Sequence, residues 1–227
     1  MRQIHSNEIK ETSAAKLNIR QISDAYTRLA PLYGIWEWVA EGSAQRTAME
    51  MAAIQNGESL LEVAVGLGTS LNILRKQNPN GRNIGMDLTS VMLRRTRKHL
   101  MIDQNVNPAL CQGDAMVMPF ADASFDLIYC TFLLDLLPIP DIHVVIREMR
   151  RVLRPSGRVV IAHLSMNHRS FNWFWILLYS SIPMLLGGCR PIQLTNWLPH
   201  DGFMVQQVQV VSQWGIPSEI ILATPNG

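Results

Sequence analysis

The chain has 227 residues, with 20 Lys+Arg against 18 Asp+Glu, a formal charge of +2 and 48% hydrophobic content. That balance excludes a charged disordered tail, permits a full core, and offers no strongly basic face of the kind nucleic acid requires. Three cysteines, Cys111, Cys130 and Cys189, have no CxxC or Cys/His spacing; this argues against a disulfide scaffold or a structural metal site and for a reducing, cytoplasmic setting.

Residues 1–20 read as a loosely held lead-in, polar throughout and without the apolar core of a signal peptide. The remainder, 21–227, reads as one domain. From Ile22 to Ile54 apolar residues recur at helical spacing, broken at Pro31 and Gly42 into two or three helices. SLLEVAV (59–65) is a continuous apolar run bounded by turn residues, as in a strand buried on both faces. A helix opens near Leu71. NIGMD (83–87) is a second strand, followed by a helix that Thr89 or Ser90 can cap. Strands are predicted at 109–112 and 126–132, a helix from about Asp141 to Leu153, and a strand at 158–164 after the Pro155-Ser156-Gly157 turn. Runs 204–211 and 218–224 suit a closing hairpin. Strand and helix alternate until that hairpin, so the expected fold is α/β: a doubly wound, mostly parallel sheet with an antiparallel edge.

Two features carry chemistry. In EVAVGLGTS (62–70) small residues at 64, 66 and 68 let backbone approach a ligand, and the helix beyond offers free N–H groups. A tight βα turn is the plain alternative. Asp87 follows Gly68 by 19 residues at the end of the next strand, where a carboxylate can accept from both ribose hydroxyls. Together they indicate a nucleoside cofactor. The dinucleotide spacing G-x-G-x-x-G fails, because the third position from Gly66 is Leu71. Glu62 would repel a pyrophosphate but can hold an ammonium, which favours a cofactor carrying an amino acid.

EVAVGLG (62–68), GMDLTSVML (85–93), GDAMVMPFADASFDLIYCTFLLDLL (113–137) and REMRRVLRPSGRVVIAH (147–163) resemble, in order and spacing, the motifs of class I S-adenosylmethionine-dependent methyltransferases, most of all the ubiquinone/menaquinone-biosynthesis type. The resemblance covers roughly residues 20–165. It implies a seven-stranded Rossmann-like sheet in the order 3-2-1-4-5-7-6, N-terminal helices, and a helical cap inserted after strand 5. It implies further that Glu62, Ala64, Gly66 and Gly68 lie against the methionine part of S-adenosylmethionine and that Asp87 holds the ribose. Leu88 and Met92 would sandwich the adenine, Asp114 and Ala115 would meet its edge, and Cys130 and Thr131 would line the sulfonium end. The family pattern usually has Gly where Ala64 stands.

A base is optional when the methyl group is already activated. His163 is the candidate, with a buried structural histidine as the alternative; Asp135, within LLDLL, reads as a loop or cap residue. Cap segments 21–55 and 165–201 bring Tyr26, Tyr33, Trp36, Trp173 and Trp175 towards a small lipophilic, aromatic acceptor. The apolar run 173–186 is 14 residues, short of the ~20 that span a bilayer. The sequence leaves a substrate lid and a peripheral membrane contact through 171–188 both open, and is silent on oligomeric state.

Overall fold

The computed structural model describes residues 42–101, 109–165 and 189–226. The order is α1 (Gly42–Ala52), β1 (Ser59–Val63), α2 (Thr69–Gln77), β2 (Arg82–Asp87), α3 (Ser90–Leu100), β3 (Ala109–Gln112), β4 (Phe125–Thr131), α4 (Ile139–Val152), β5 (Leu153–Leu164), β6 (Phe203–Gln213) and β7 (Ile216–Pro225). Short 3-10 turns lie at Leu134–Leu136 and Leu198–Asp201. One seven-stranded sheet runs β3-β2-β1-β4-β5-β7-β6, parallel from β3 to β5, with β7 antiparallel between β5 and β6.

The continuous apolar runs follow from burial on both faces. Leu60 and Leu61 are both fully buried, Leu61 in the cluster under α4 and Leu60 in the cluster under α1 and α2. The stripe of Ile142, Val145, Ile146, Met149 and Val152 packs wholly against the first. Parallel register aligns the carboxyl ends, pairing Val63 with both Met86 and Cys130. The crevice beyond those ends is where an open α/β sheet places ligands.

Some boundaries move. β1 stops at Val63 instead of Val65 because Ala64 turns left-handed at φ 59°. β5 starts earlier than predicted: Phe125 pairs with Leu153, and regular pairing resumes at Leu127 and Arg158, so the Pro155-Ser156-Gly157 turn is an outward bulge in one long strand.

At the opposite edge, Arg158 ties α1 to the sheet. It donates to the carbonyls of Ala52 (2.7 Å) and Ala53 (3.1 Å) and pairs with both oxygens of Glu58 at 2.8 and 2.9 Å. Burial opposes the Glu58 charge, but Arg158 and the Gln55 N–H outweigh it and hold the carboxyl below its ordinary 4.5. Replacing Arg158 by Met should lower urea-measured stability by about 1–3 kcal/mol. Glu58's contribution is present above pH 4.5 and is lost as pH falls through its lowered native value. The acid limb of the stability curve should therefore flatten in the variant; an unchanged limb rejects the assignment.

Candidate cofactor and acceptor site

The turn after β1 is built from left-handed residues: Ala64 at 59°, Gly66 at 56° and Gly68 at 77°. A left-handed alanine costs roughly 1 kcal/mol, so the departure from glycine at 64 carries strain. The Val65 N–H donates to the Met86 carbonyl (2.9 Å), and the Gly68 N–H to that of Val65 (2.8 Å). Thr96 of α3 locks the turn by donating to the Gly66 carbonyl at 2.6 Å. A Cβ on Gly68 would fall 2.5 Å from the Thr96 methyl. Gly68→Ala combines that clash with left-handed strain; it should lower the melting temperature and weaken cofactor binding about tenfold by calorimetry. Wild-type values for both would show that the turn adapts.

Asp87 closes β2 nearly buried, at 9% exposure. One carboxylate oxygen accepts from the Gly66 N–H (3.2 Å), the other from the N–H (2.9 Å) and hydroxyl (3.1 Å) of Thr89. Burial pushes its carboxyl above the ordinary 3.8, and these hydrogen bonds oppose the rise. A carboxylate accepts about four hydrogen bonds, so capacity remains for a ligand. Thr89 also caps α3, accepting from the Met92 N–H at 3.2 Å, which leaves Asp87 free of capping duty.

A cleft runs along these strand ends. Of the sequence candidates, Ala64, Asp87, Leu88, Asp114 and Ala115 line it. Leu88 is held open at 40% exposure, its carbonyl bonded by Gln112, and offers an apolar face. The Asp114 carboxylate accepts from the Met116 N–H at 2.9 Å. Glu62, Gly66, Gly68, Met92, Cys130 and Thr131 stand outside the cleft wall: Met92 is a buried residue of α3, and Cys130 is wholly buried in the core. Burial, with the Asp135 and Glu62 carboxylates nearby, pushes the Cys130 thiol far up, so it remains a neutral, inert thiol. Leu133 and Leu137 complete the wall from the segment after β4; sequence analysis did not single them out, although the LLDLL pattern was their signal.

Asp135, between those leucines, is not a surface loop residue. It is fully buried; one oxygen accepts from the Leu164 N–H at 3.2 Å and the other has no hydrogen-bond partner among the described residues. Burial pushes its carboxyl up to about 6, opposed by His163, the Leu164 N–H and Arg190. His163, also fully buried, sets Nδ1 2.9 Å from the Leu164 carbonyl. A carbonyl only accepts, so Nδ1 carries the proton and Nε2 faces Glu219 at 3.4 Å. Glu219 accepts from the Thr195 hydroxyl at 2.6 Å. The five aromatic acceptor candidates, Tyr26, Tyr33, Trp36, Trp173 and Trp175, lie outside the described residues.

A family profile described as "Methyltransferase domain" matches residues 60–157. Over 164 residues the chain is 31% identical to a demethylmenaquinone methyltransferase of Lactobacillus johnsonii, covering 69% of this chain and 66% of that one. It is 32% identical over 160 residues to the ubiquinone/menaquinone biosynthesis C-methyltransferase UbiE of Paracoccus denitrificans, covering 68% and 63%. The chain belongs to the class I S-adenosylmethionine-dependent methyltransferases. It matches just under two thirds of the length of these relatives. Solved structures agree on the fold: a Burkholderia thailandensis 1,6-didemethyltoxoflavin-N1-methyltransferase with bound S-adenosylhomocysteine superposes at TM-score 0.70 with 14% identity, covering 91% of this chain and 87% of that one. The [4+2]-cyclase SpnF superposes at 0.72 with 16% identity, covering 92% and 97%. A cyclase among the neighbours means that chemistry must be argued from the site.

The residues present fit S-adenosylmethionine, the cofactor of this family. Strained small residues form a cradle with little side-chain bulk, and a buried acid with spare acceptor capacity stands one strand away. No helix among the described residues is long and apolar enough to cross a membrane.

Proposed function

We propose that the protein transfers a methyl group from S-adenosylmethionine to a small lipophilic acceptor, the ring carbon of an isoprenoid quinol precursor being the first choice. The observation that carries the reading is Asp87, buried and tied to Gly66 and Thr89 at the mouth of the cleft. Its carboxylate would accept from the ribose hydroxyls, Leu88 would cover one face of the adenine, and Asp114 and Ala115 would meet the adenine edge. Glu62 and the 64–68 turn would hold the amino-acid end. Met92, Cys130 and Thr131 would support this wall from behind. The quinol choice rests on the names of the two relatives.

When bound, S-adenosylmethionine supplies an activated sulfonium methyl group, and a ring carbon that accepts it must release one proton. The candidates to take it are Asp135 and His163, which adjoin the Leu133 and Leu137 wall but do not themselves line the cleft. Both are fully buried, Asp135 in the turn after β4 and His163 one residue before the end of β5, and one Asp135 oxygen has no hydrogen-bond partner among the described residues. Asp135 takes the proton, and His163, backed by Glu219, positions it. Leu133 and Leu137 give this end of the cleft apolar walls.

Incubation of the protein with methyl-labelled cofactor and demethylmenaquinol, a phospholipid amine, a small thiol and a simple phenol tests the reading. Label in the quinol supports it. Label only in the phospholipid, thiol or phenol replaces the acceptor class, and cofactor binding with no labelled product makes the protein a binding module.

A further inference from the structure

Helix α3 carries one polar side chain in its buried stripe. Met92, Thr96 and Leu100 follow one another at helical spacing and all are buried, Thr96 completely. A threonine loses rotamer freedom inside a helix, and its hydroxyl, once buried, must be hydrogen-bonded. The nearest acceptor lies outside the helix. The hydroxyl donates to the Gly66 carbonyl at 2.6 Å, with the Met92 carbonyl of its own helix at 2.9 Å. One turn on, His99 sets Nδ1 3.0 Å from the Leu67 carbonyl. A carbonyl only accepts, so Nδ1 carries the proton.

These two contacts complete a pattern in the turn after β1. The Val65 carbonyl accepts from the Gly68 N–H at 2.8 Å, and the Gly68 carbonyl from the Asn72 N–H at 2.9 Å. Every carbonyl from Val65 to Gly68 is thereby engaged within the protein. The N–H groups are not: among the described residues nothing accepts from those of Leu67, Thr69 or Ser70, and α2 has no side-chain cap. A trans peptide points its C=O and N–H in opposite directions, so fixing the Gly66 carbonyl towards α3 turns the Leu67 N–H away from it. Fixing the Leu67 carbonyl likewise sets the Gly68 N–H for its bond to Val65.

A turn with engaged carbonyls and open N–H groups favours an anion. The α-carboxylate is the anionic group of S-adenosylmethionine, and Glu62 is the group suited to the ammonium beside it. Resting on the cofactor pose already assigned to the 64–68 turn, we propose that Thr96 and His99 are positioning residues for the amino-acid end of S-adenosylmethionine. They hold the Gly66 and Leu67 carbonyls towards α3, and so keep the N–H groups of the turn open to the α-carboxylate.

Calorimetry on the full chain with S-adenosylmethionine and with 5′-methylthioadenosine, which has the nucleoside but no amino acid, separates positioning from support of the fold. Thr96→Val keeps the shape and removes the donor. It should weaken S-adenosylmethionine about tenfold, the worth of one hydrogen bond, and leave 5′-methylthioadenosine at its wild-type affinity. Thr96→Ser keeps the donor and should bind both ligands like the wild type. His99 is exposed, so replacing it leaves the core intact. His99→Phe should weaken S-adenosylmethionine about threefold, and His99→Asn, which retains a donor, should not. Equal weakening of both ligands in Thr96→Val makes Thr96 a structural residue and overturns the proposal, as does unchanged binding of both. Wild-type affinity in His99→Phe overturns the part given to the histidine. Asp87→Ala tests the underlying pose separately, because both ligands share the ribose: if it weakens neither, the pose itself fails.

Discussion

Asp87→Ala should abolish measurable S-adenosylmethionine binding in calorimetry performed at concentrations that saturate the wild type. Two effects add. In the proposed pose the carboxylate gives the ribose two charge-assisted hydrogen bonds, each worth roughly 1.5–3 kcal/mol, so their loss alone weakens binding by about 10²-fold or more. The same carboxylate also holds the Gly66 N–H and both donors of Thr89. Alanine releases the turn at Gly66 and loosens the start of α3. Asp87→Asn separates the two effects: its amide oxygen can keep the Thr89 contacts, but its NH2 group faces the Gly66 N–H, donor against donor. Asn should therefore bind weakly but fold like the wild type, whereas Ala should lose binding and some stability. If Ala binds the cofactor like the wild type, the assignment of this cleft fails.

The parts of this site made from consecutive residues were legible in the sequence. SLLEV and NIGMD are apolar because both sheet faces are covered, and Asp87 stands out as the acid that ends such a run. The helix cap at Thr89 was legible for the same local reason. What the sequence hid depends on contacts between distant segments. SLLEVAV reads as one strand to Val65, yet the left-handed turn at Ala64 is imposed by the ligand loop, with its Val65 N–H bonded to β2. Pro155-Ser156-Gly157 has turn chemistry, yet pairing of Leu153 with Phe125 keeps it inside a strand as a bulge. Asp135 looked like a loop residue because nothing nearby in sequence buries it. It is covered by the segment around Arg190, whose N–H donates to the Asp135 carbonyl at 3.1 Å, and by the end of β5 at Leu164.

That burial makes Asp135→Asn the sharper test of chemistry. Asparagine keeps the shape and, through its oxygen, the bond from the Leu164 N–H, but it cannot take a proton. Turnover on the methyl acceptor should fall by about 10²–10⁴, the usual worth of a positioned base, with cofactor affinity retained. Because burial pushes the carboxyl up to about 6, wild-type turnover should rise with pH up to that value and then level, and the Asn variant should lack this limb. Stability should move the other way. An acid whose native value is raised from 3.8 to about 6 holds its proton longer folded than unfolded. The native state is therefore favoured below pH 4, and loses on the order of 3 kcal/mol as pH climbs to 6 and the buried group must ionise. Denaturant titrations at pH 4, 5, 6 and 7 should show that decline in the wild type and a flatter line in Asp135→Asn. His163→Gln should leave the cofactor bound and shift the pH limb, since the imidazole lowers the Asp135 value from beside it. Unchanged turnover in Asp135→Asn would remove the base and leave positioning alone to account for the reaction; an unmoved limb in His163→Gln would make that histidine a packing residue.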